Sequence, residues 1–192
     1  MNQLSENTAL LVLDVQEGFD HPKWGRRNNP GAENNIAKLL AAWRGANMPV
    51  YHVVHHSLIP GSLFTPDESG AHIKSIAAPL DREPVIYKNV NSAFIGTDLE
   101  QRLRARNIHH LVITGLTTDH CVSTTTRMAA NLGFDVLCVG DGTATFERRG
   151  PNGQHYSAEE MHNVNLASLE SEFATVVTTA DILGALPQTS RA

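Results

Sequence analysis

The sequence predicts a three-layer α/β/α fold with a six-stranded, mostly parallel sheet. Two patterns predict it: six short apolar runs rich in β-branched residues, and amphipathic helical patterns that separate most of these runs. Strands that alternate with helices are typical of a parallel sheet covered on both faces, as in Rossmann-like folds. The 192 residues suit a single domain, residues 1–192, which is large enough to bury a core without disulfide or metal cross-links.

Each predicted strand is apolar on both faces, as expected for a strand that helices cover on both sides. The six runs are Thr8–Asp14, Val50–His55, Val85–Lys88, His110–Gly115, Phe134–Gly140 and Phe173–Thr178. The predicted helices are Glu33–Trp43, Thr97–Arg106, Asp119–Leu132, Ser157–Leu169 and Asp181–Leu186. Ser157 is followed three residues later by Glu160, which predicts a capping box at the start of the fourth helix.

Two long irregular segments, 57–80 and 141–156, interrupt this alternation. Long loops in compact α/β domains often cover or border a binding site. For residues 141–156 a plain surface loop is an equally good interpretation. Substrate specificity is expected to depend on these two loops and on residues 19–29, because fit and hydrogen bonding decide it there.

Composition and charge exclude several classes of partner. The chain has 15 Lys and Arg against 20 Asp and Glu, and no long run of like charge, so neither nucleic acid nor an anionic membrane surface is expected to bind. No apolar run approaches the length of a membrane span, and the segment from Met1 to Thr8 lacks the pattern of a signal peptide. Two cysteines do not make a disulfide framework, so we expect a cytoplasmic protein with free thiols.

Three reactive side chains are predicted at one edge of the sheet, where open α/β folds bind ligands. Asp14 and Lys88 end the first and third strands, and Cys121 lies in the first turn of the helix after the fourth. The helix dipole predicts a lowered pKa for the Cys121 thiol, and a nearby carboxylate could take and return its proton. Singly, these residues could be a buried thiol, a loop carboxylate and a solvated strand end; together they favour a catalytic site. Cys138, in mid-strand, is interpreted as structural.

Three segments in order carry a more specific pattern. They read D-V-Q-E-G-F (Asp14–Phe19), K-N-V-N-S-A-F-I-G-T-D-L (Lys88–Leu99) and G-L-T-T-D-H-C-V (Gly115–Val122). Together they resemble the isochorismatase-like cysteine hydrolases, over most of the chain from about Thr8 to the last strand. The similarity is to the amidohydrolase branch, which includes N-carbamoylsarcosine amidase and nicotinamidase. Members that cleave isochorismate generally lack the cysteine that this sequence has as Cys121.

The resemblance implies a catalytic triad of Asp14, Lys88 and Cys121, with Cys121 as the nucleophile that forms a thioester acyl-enzyme. It also implies a cis peptide bond between Leu116 and Thr117, and an oxyanion hole made by the N–H groups of Thr117 and Cys121. The implied activity is hydrolysis of a C–N bond in a small amide, ureido or carbamoyl compound, without a cofactor. Relatives commonly form homo-oligomers, so a dimer or tetramer is expected.

The histidines at the end of the second strand are candidate metal ligands. Nicotinamidase-like relatives carry an Asp-Trp-His metal motif there, but this sequence reads H-V-V-H-H-S from His52. His52 and His56 would also be about 13 Å apart on a regular strand, too far to bind one ion. We therefore expect no metal, and leave the roles of His52 and His55 open. The predicted substrate-binding residues are Phe19, Trp24, His56, Asn91 and Phe94.

Two alternative functions stay open at this point. The chain could hydrolyse a different bond, such as an ester or an isochorismate-type vinyl ether, or it could be a non-catalytic family member that only binds a small molecule. A nucleotide-binding domain is disfavoured, because the turn after the first strand, DVQEGFD, contains one glycine instead of a glycine-rich loop.

Overall fold

The computed structural model describes residues 3–187. Residues 1–2 and 188–192 lie outside the described part. The predicted domain, 1–192, includes all of them, and the amino-terminal segment considered above includes residues 1–2. The strands are β1 (Ala9–Leu13), β2 (Val50–His55), β3 (Val85–Lys88), β4 (His110–Leu116), β5 (Asp135–Ala144), β6 (Arg148–Arg149), β7 (His155–Tyr156) and β8 (Thr175–Val177). The helices are α1 (Ala32–Gly45), α2 (Leu99–Ala105), α3 (Ser123–Asn131), α4 (Ala158–Leu169) and α5 (Thr179–Ala185).

Six of the strands form one parallel sheet in the order β3-β2-β1-β4-β5-β8, which confirms the predicted fold class. The strand order reverses between β1 and β4, so a crevice opens beyond the carboxyl ends of these two strands. The short strands β6 and β7 form a separate antiparallel pair. Among residues 3–187, no helix combines the length and the apolar character needed to cross a membrane.

The sheet is covered on both faces because successive residues of its strands alternate between two apolar cores. Leu11 and Leu13 of β1 belong to the core that includes residues of α2, α3 and α4. Leu10 and Val12 belong to the core that includes residues of α1 and α5. The three layers therefore follow from strands that carry apolar residues on both faces.

The main departure from the predicted elements is in β5, which continues four residues past its predicted end at Gly140. Its register against β4 shifts between Ile113 and Gly115, so the added residues pair with the end of β4. Partners from distant parts of the sequence hold the added residues: the Thr114 hydroxyl donates to the Gly142 carbonyl, and the Asn29 amide donates to the carbonyls of Asp141 and Thr143. The segment 141–156 is therefore partly sheet and not a plain loop.

One glycine is required for β1 and β4 to approach closely at the carboxyl edge. Gly115 has a φ of 126°, and a Cβ atom added there would lie 2.0 Å from the carbonyl oxygen of Leu13. Any side chain at this position would push β4 away from β1.

The predicted capping box at the start of α4 is also present, since Ser157 and Glu160 exchange hydrogen bonds between side chain and backbone.

Candidate active site

The structure brings Asp14, Lys88 and Cys121 into contact at the carboxyl edge of the sheet. Asp14 follows β1 with a φ of 51°, Lys88 is the last residue of β3, and Cys121 lies in the helical turn after β4. The Lys88 Nζ lies 2.7 Å from Asp14 Oδ2 and 3.3 Å from Cys121 Sγ. The lysine therefore bridges the carboxylate and the thiol across the crevice where the strand order reverses.

These three side chains are almost completely removed from solvent. The side chains of Asp14 and Lys88 are 0% exposed, and Cys121 is 9% exposed. A buried charged pair persists only when its members neutralise each other, and here they are in direct contact. The second carboxylate oxygen, Asp14 Oδ1, is buried with no hydrogen-bond partner among the described residues. This oxygen is available to accept a proton.

Burial changes the expected ionisation of the thiol. Burial is the largest effect on Cys121 and raises its pKa; the Asp14 carboxylate raises the pKa further, while the Lys88 ammonium lowers it. The net pKa is raised, so the prediction of a lowered pKa is wrong, because burial and the Asp14 carboxylate outweigh the Lys88 ammonium. For Lys88, burial alone would lower the pKa, but Asp14 and Cys121 raise it overall. The resting site therefore holds a neutral thiol beside a charged lysine.

The connection from β4 to α3 positions the thiol. The Leu116–Thr117 peptide bond is cis, as the resemblance implies. A wide helical turn, Thr118–Val122, follows and runs directly into α3. The Thr117 amide donates to no acceptor among residues 3–187. The role of this N–H group in an oxyanion hole stays a prediction.

Three hydrogen bonds from outside anchor that turn. The Thr118 hydroxyl lies 2.9 Å from Nδ1 of the buried His162 on α4. Asp119, next to it, accepts a hydrogen bond from the Thr145 hydroxyl and another from Arg148 Nε at 2.9 Å. The segment after β5 thus helps to hold the turn that carries Cys121 in place.

Four aromatic rings, Phe19, Trp24, Phe64 and Phe146, pack together next to Leu116 and His55; we call this set the aromatic wall. Phe19 packs on Phe64 with ring centroids 4.7 Å apart, and Trp24 stacks on Phe146 at 5.7 Å. Phe19 also packs against Leu116, the residue before Thr117. The predicted residues Phe19 and Trp24 therefore lie together, and the long segments 57–80 and 141–156 each add a ring that the sequence did not single out.

Two of the predicted substrate-binding residues lie elsewhere. His56 follows β2 and points to the opposite face of the sheet, where its ring stacks on Tyr87 at 4.5 Å. Phe94 packs into the core and stacks on Phe134, which lies at the amino-terminal end of β5, across the sheet from the crevice. The predicted contact of His56 and Phe94 with substrate is therefore not supported by their positions. Asn91 lies exposed on the loop after Lys88, and its role stays a prediction.

His55 lies where His56 was expected to be. In the parallel pairing of β2 with β3, His55 is the register partner of Lys88, so both side chains leave the sheet on the same face. The alternation of side chains along β2 is the sequence signal that could have found it. Gln16 fixes the His55 backbone, accepting from its N–H and donating to its carbonyl, each at 3.0 Å.

The comparisons with known proteins agree with this geometry. The family model for the isochorismatase domain matches residues 8–181. The chain belongs to the isochorismatase family of hydrolases. It is 50% identical over 180 residues to the isochorismatase family protein YrdC of Bacillus subtilis, covering 94% of this chain and 96% of that one.

Two further relatives extend the similarity. An isochorismatase-family crystal structure from Chromobacterium violaceum superposes with a TM-score of 0.94 at 43% identity, covering 96% of each chain. N-carbamoylsarcosine amidase from Arthrobacter is 30% identical over 204 residues, covering 94% of this chain and 72% of its own length. The predicted family and fold are therefore confirmed.

In this isochorismatase-family chain, His52 has a structural role. It faces away from the triad and its Nε2 lies 2.9 Å from Glu83, which Arg44 also binds through two hydrogen bonds. Burial lowers the pKa of His52, although Glu83 opposes the shift.

Among residues 3–187, no three His, Cys, Asp or Glu side chains converge as a metal site would require.

Proposed function

We propose that the chain hydrolyses the C–N bond of a small amide, ureido or carbamoyl compound through Cys121 as nucleophile. The observation that carries this proposal is Lys88, whose single ammonium group contacts both Asp14 and Cys121 inside a closed site. A thiol, a base and a fixed cation in contact are the groups that nucleophilic acyl transfer needs.

The first half-reaction forms a thioester. The Asp14 carboxylate takes the thiol proton as Sγ attacks the carbonyl carbon, because the resting thiol is neutral. The carbonyl oxygen becomes an oxyanion, which the N–H groups of Thr117 and Cys121 would stabilise. The C–N bond then breaks, and Asp14 returns the proton to the departing amine or ammonia. Lys88 stays charged throughout and offsets the negative charge that passes between Sγ and the carboxylate.

The second half-reaction releases the acid. Asp14 takes a proton from a water molecule, whose oxygen attacks the thioester carbonyl carbon. The C–S bond breaks, and the proton passes from Asp14 to Sγ, which restores the thiol. The N-carbamoylsarcosine amidase relative, whose name states C–N bond chemistry, supports this reaction class over ester or vinyl ether hydrolysis.

A panel of small primary amides, ureido compounds and carbamates, assayed for ammonia release, tests the proposal. We expect release that a thiol-alkylating reagent abolishes, and a mass increase on the Cys121 peptide equal to the acyl group during turnover. Release of alcohol from esters with no cleavage of any amide would favour the other-bond alternative. Binding of panel compounds with no turnover of amides or esters would favour a non-catalytic binder.

A further inference from the structure

The exposed apolar side chains of this protein are concentrated in one stretch of the chain. Nine large apolar side chains are exposed among residues 3–187, and seven of them lie between positions 58 and 95. Leu58 and Ile59 are the most exposed, at 78% and 71%. Large exposed apolar patches often mark a surface that binds a partner. Neither the fold nor the proposed chemistry gives these side chains a role.

Strand β3 lies at the centre of this apolar set. It is the last strand at one end of the sheet and pairs with β2 alone. The His56 ring stacks on Tyr87 of β3, and the Asn89 amide donates to the His56 carbonyl, so the segment with Leu58 and Ile59 begins beside the end of the strand. The other exposed apolar residues precede or follow β3 in the chain: Ile76, Leu80, Val90 and Ile95.

The outer side of β3 has unpaired backbone groups. The carbonyls of Pro84 and Lys88 accept hydrogen bonds from β2. Because the backbone groups of successive strand residues alternate in direction, the N–H and C=O groups of Val85 and Tyr87 point away from β2. Among residues 3–187, no strand pairs with that side of β3. Such a row of free groups is a template for pairing with another chain.

The devices that usually protect an edge strand are absent from β3. Native proteins protect such edges with outward-pointing charges, proline or a bulge. Lys88 is the only charged residue between Pro84 and Asp98, and its side chain is turned inward to Asp14 with no exposed area. Pro84 lies before the strand, and the register of β2 against β3 is continuous. The edge is therefore open to pairing.

We propose that β3 and the apolar side chains around it form an interface between two copies of this chain, in which the two β3 strands pair antiparallel across a two-fold axis. Val85 would lie opposite the partner's Tyr87, and each such pair would exchange two hydrogen bonds, with Ile86 at the axis. The resemblance implies a homo-oligomer but no particular surface. This proposal is independent of the proposed function.

A second copy fits this patch because the patch is complementary to itself. A two-fold axis reverses the direction of β3, so the residues that follow the strand in one copy meet those that precede it in the other. Both ends carry exposed apolar side chains, since Leu80 lies before the strand and Val90 after it. A partner of different sequence would have to match the two ends separately.

The exposed apolar area is also of the size that a stable dimer needs. Fully burying a Leu, Ile or Val side chain removes roughly 60–120 Å² of apolar surface from water. The seven side chains are 40–78% exposed, so together they offer roughly 250–450 Å². A homodimer interface of standard size buries about 800 Å² per partner, about 65% of it apolar. The seven side chains would supply about half or more of that apolar area.

Sedimentation velocity over a range of protein concentrations tests the interface. We expect the wild-type protein to be a dimer, or a larger oligomer built from dimers. Tyr87→Glu places like charges against each other at the paired edge and is expected to raise the dimer dissociation constant by about 100-fold or more. Val164→Glu is the matched control, because Val164 is 68% exposed on α4, outside the patch, and should leave that constant unchanged. Thermal unfolding checks that both variants are folded.

Disulfide formation tests the pairing itself without a charged variant. Opposite residues in a hydrogen-bonded antiparallel pair have Cα atoms about 5.5 Å apart, which a disulfide can span. Val85→Cys and Tyr87→Cys chains, expressed together and treated with oxidised glutathione, should therefore give a cross-linked dimer with one chain of each kind. Each variant expressed alone should give little cross-linked dimer, because its two new cysteines would not lie opposite each other.

Three outcomes would contradict the proposal, and none of them depends on turnover of an amide. A wild-type protein that is monomeric at every concentration would overturn it and leave the patch to a partner of different sequence. A dimer that Tyr87→Glu and Val164→Glu weaken equally would place the interface on another surface. A dimer that Tyr87→Glu dissociates, but in which the mixed disulfide does not form, would overturn the antiparallel pairing of β3.

Discussion

The two cysteines of this chain have similar burial but different surroundings, and the difference shows what makes a thiol reactive. Burial raises the pKa of both, that of Cys138 to about 12. Cys138 lies in the middle of β5 between Ile113 and Val176, where Thr126 is its polar neighbour. Cys121 lies past the end of β4 with Lys88 in contact and a carboxylate behind it. The proposed reactivity of Cys121 therefore depends on neighbouring groups that can move its proton.

The position of each cysteine in the sheet explains these surroundings. Cys138, in mid-strand, has apolar register partners on both adjacent strands, Ile113 and Val176. A residue past the carboxyl end meets the side chains that end the neighbouring strands, and only there can polar groups from three strands converge. The following predictions test whether this contrast decides the chemistry.

The largest expected effect is on turnover by alanine variants. Cys121→Ala should lower kcat for amide hydrolysis by about 10⁴-fold or more, because the acyl-enzyme cannot form. Cys138→Ala should keep kcat near the wild-type value, since its thiol contacts no group of the site. Ammonia release measured on both folded variants checks the pair. Wild-type turnover by Cys121→Ala would remove the nucleophile and favour direct attack of water.

The next effect comes from making the surroundings of Cys121 more like those of Cys138. Asp14→Asn keeps the shape of the side chain but removes the proton acceptor, and should lower kcat roughly 10²–10⁴-fold. Asp141→Asn is the matched control, because Asp141 accepts from the N–H and hydroxyl of Thr179 at the start of α5 and does not touch the site. Equal kcat values for the two variants would show that Asp14 is not the base.

A smaller contrast is expected in alkylation of the resting protein. Cys121 is 9% exposed and Cys138 is fully buried, so iodoacetamide should label Cys121 alone until the protein unfolds. Because the pKa of Cys121 is raised, its labelling should be slow near pH 7 and should accelerate as the pH rises beyond 9. Peptide mass spectrometry against time and pH measures both. Rapid labelling at pH 6 would mean that the resting site already holds a thiolate.

The sequence predicted most of the fold because its strands are apolar runs with clear boundaries. The bounds of β2 and β3 agree residue for residue with those predicted. The extension of β5 was missed because Asp141, Gly142 and Thr143 have the composition of a turn. Their hydrogen-bond partners, Thr114 and Asn29, are distant in sequence, so no local pattern could reveal that these residues continue the sheet.

The same reasoning explains what the sequence predicted of the site. Residues that end strands could be placed at one edge without a structure, which is why Asp14, Lys88 and Cys121 were found together. His55 was missed and His56 chosen, because the face on which each points depends on the register of β2 against β3. The raised pKa of Cys121 also needed the structure, since the helix dipole can be read from sequence but the depth of burial cannot.

The smallest expected difference between the two cysteines is in the effect of a serine substitution on stability. This measurement compares the polar surroundings of Cys121 with the apolar surroundings of Cys138 and needs no assay of function. Cys138→Ser places a hydroxyl between apolar strands, where Thr126 offers one possible partner, and should lower the free energy of unfolding by about 1–2 kcal/mol. Cys121→Ser places the same hydroxyl against Lys88 and Asp14, and should change that free energy by less than about 0.5 kcal/mol.

Urea unfolding of the two serine variants gives both values, because the chemical change is identical and the surroundings alone differ. Thermal unfolding of the same variants is the independent check. Equal losses would mean that the polar groups around Cys121 do not accommodate a hydroxyl. The Lys88 ammonium would then be fully committed to Asp14, and its contact with Sγ would contribute little to the resting protein. The reactivity of Cys121 would in that case depend on rearrangement when substrate binds, and not on a site already arranged for proton transfer.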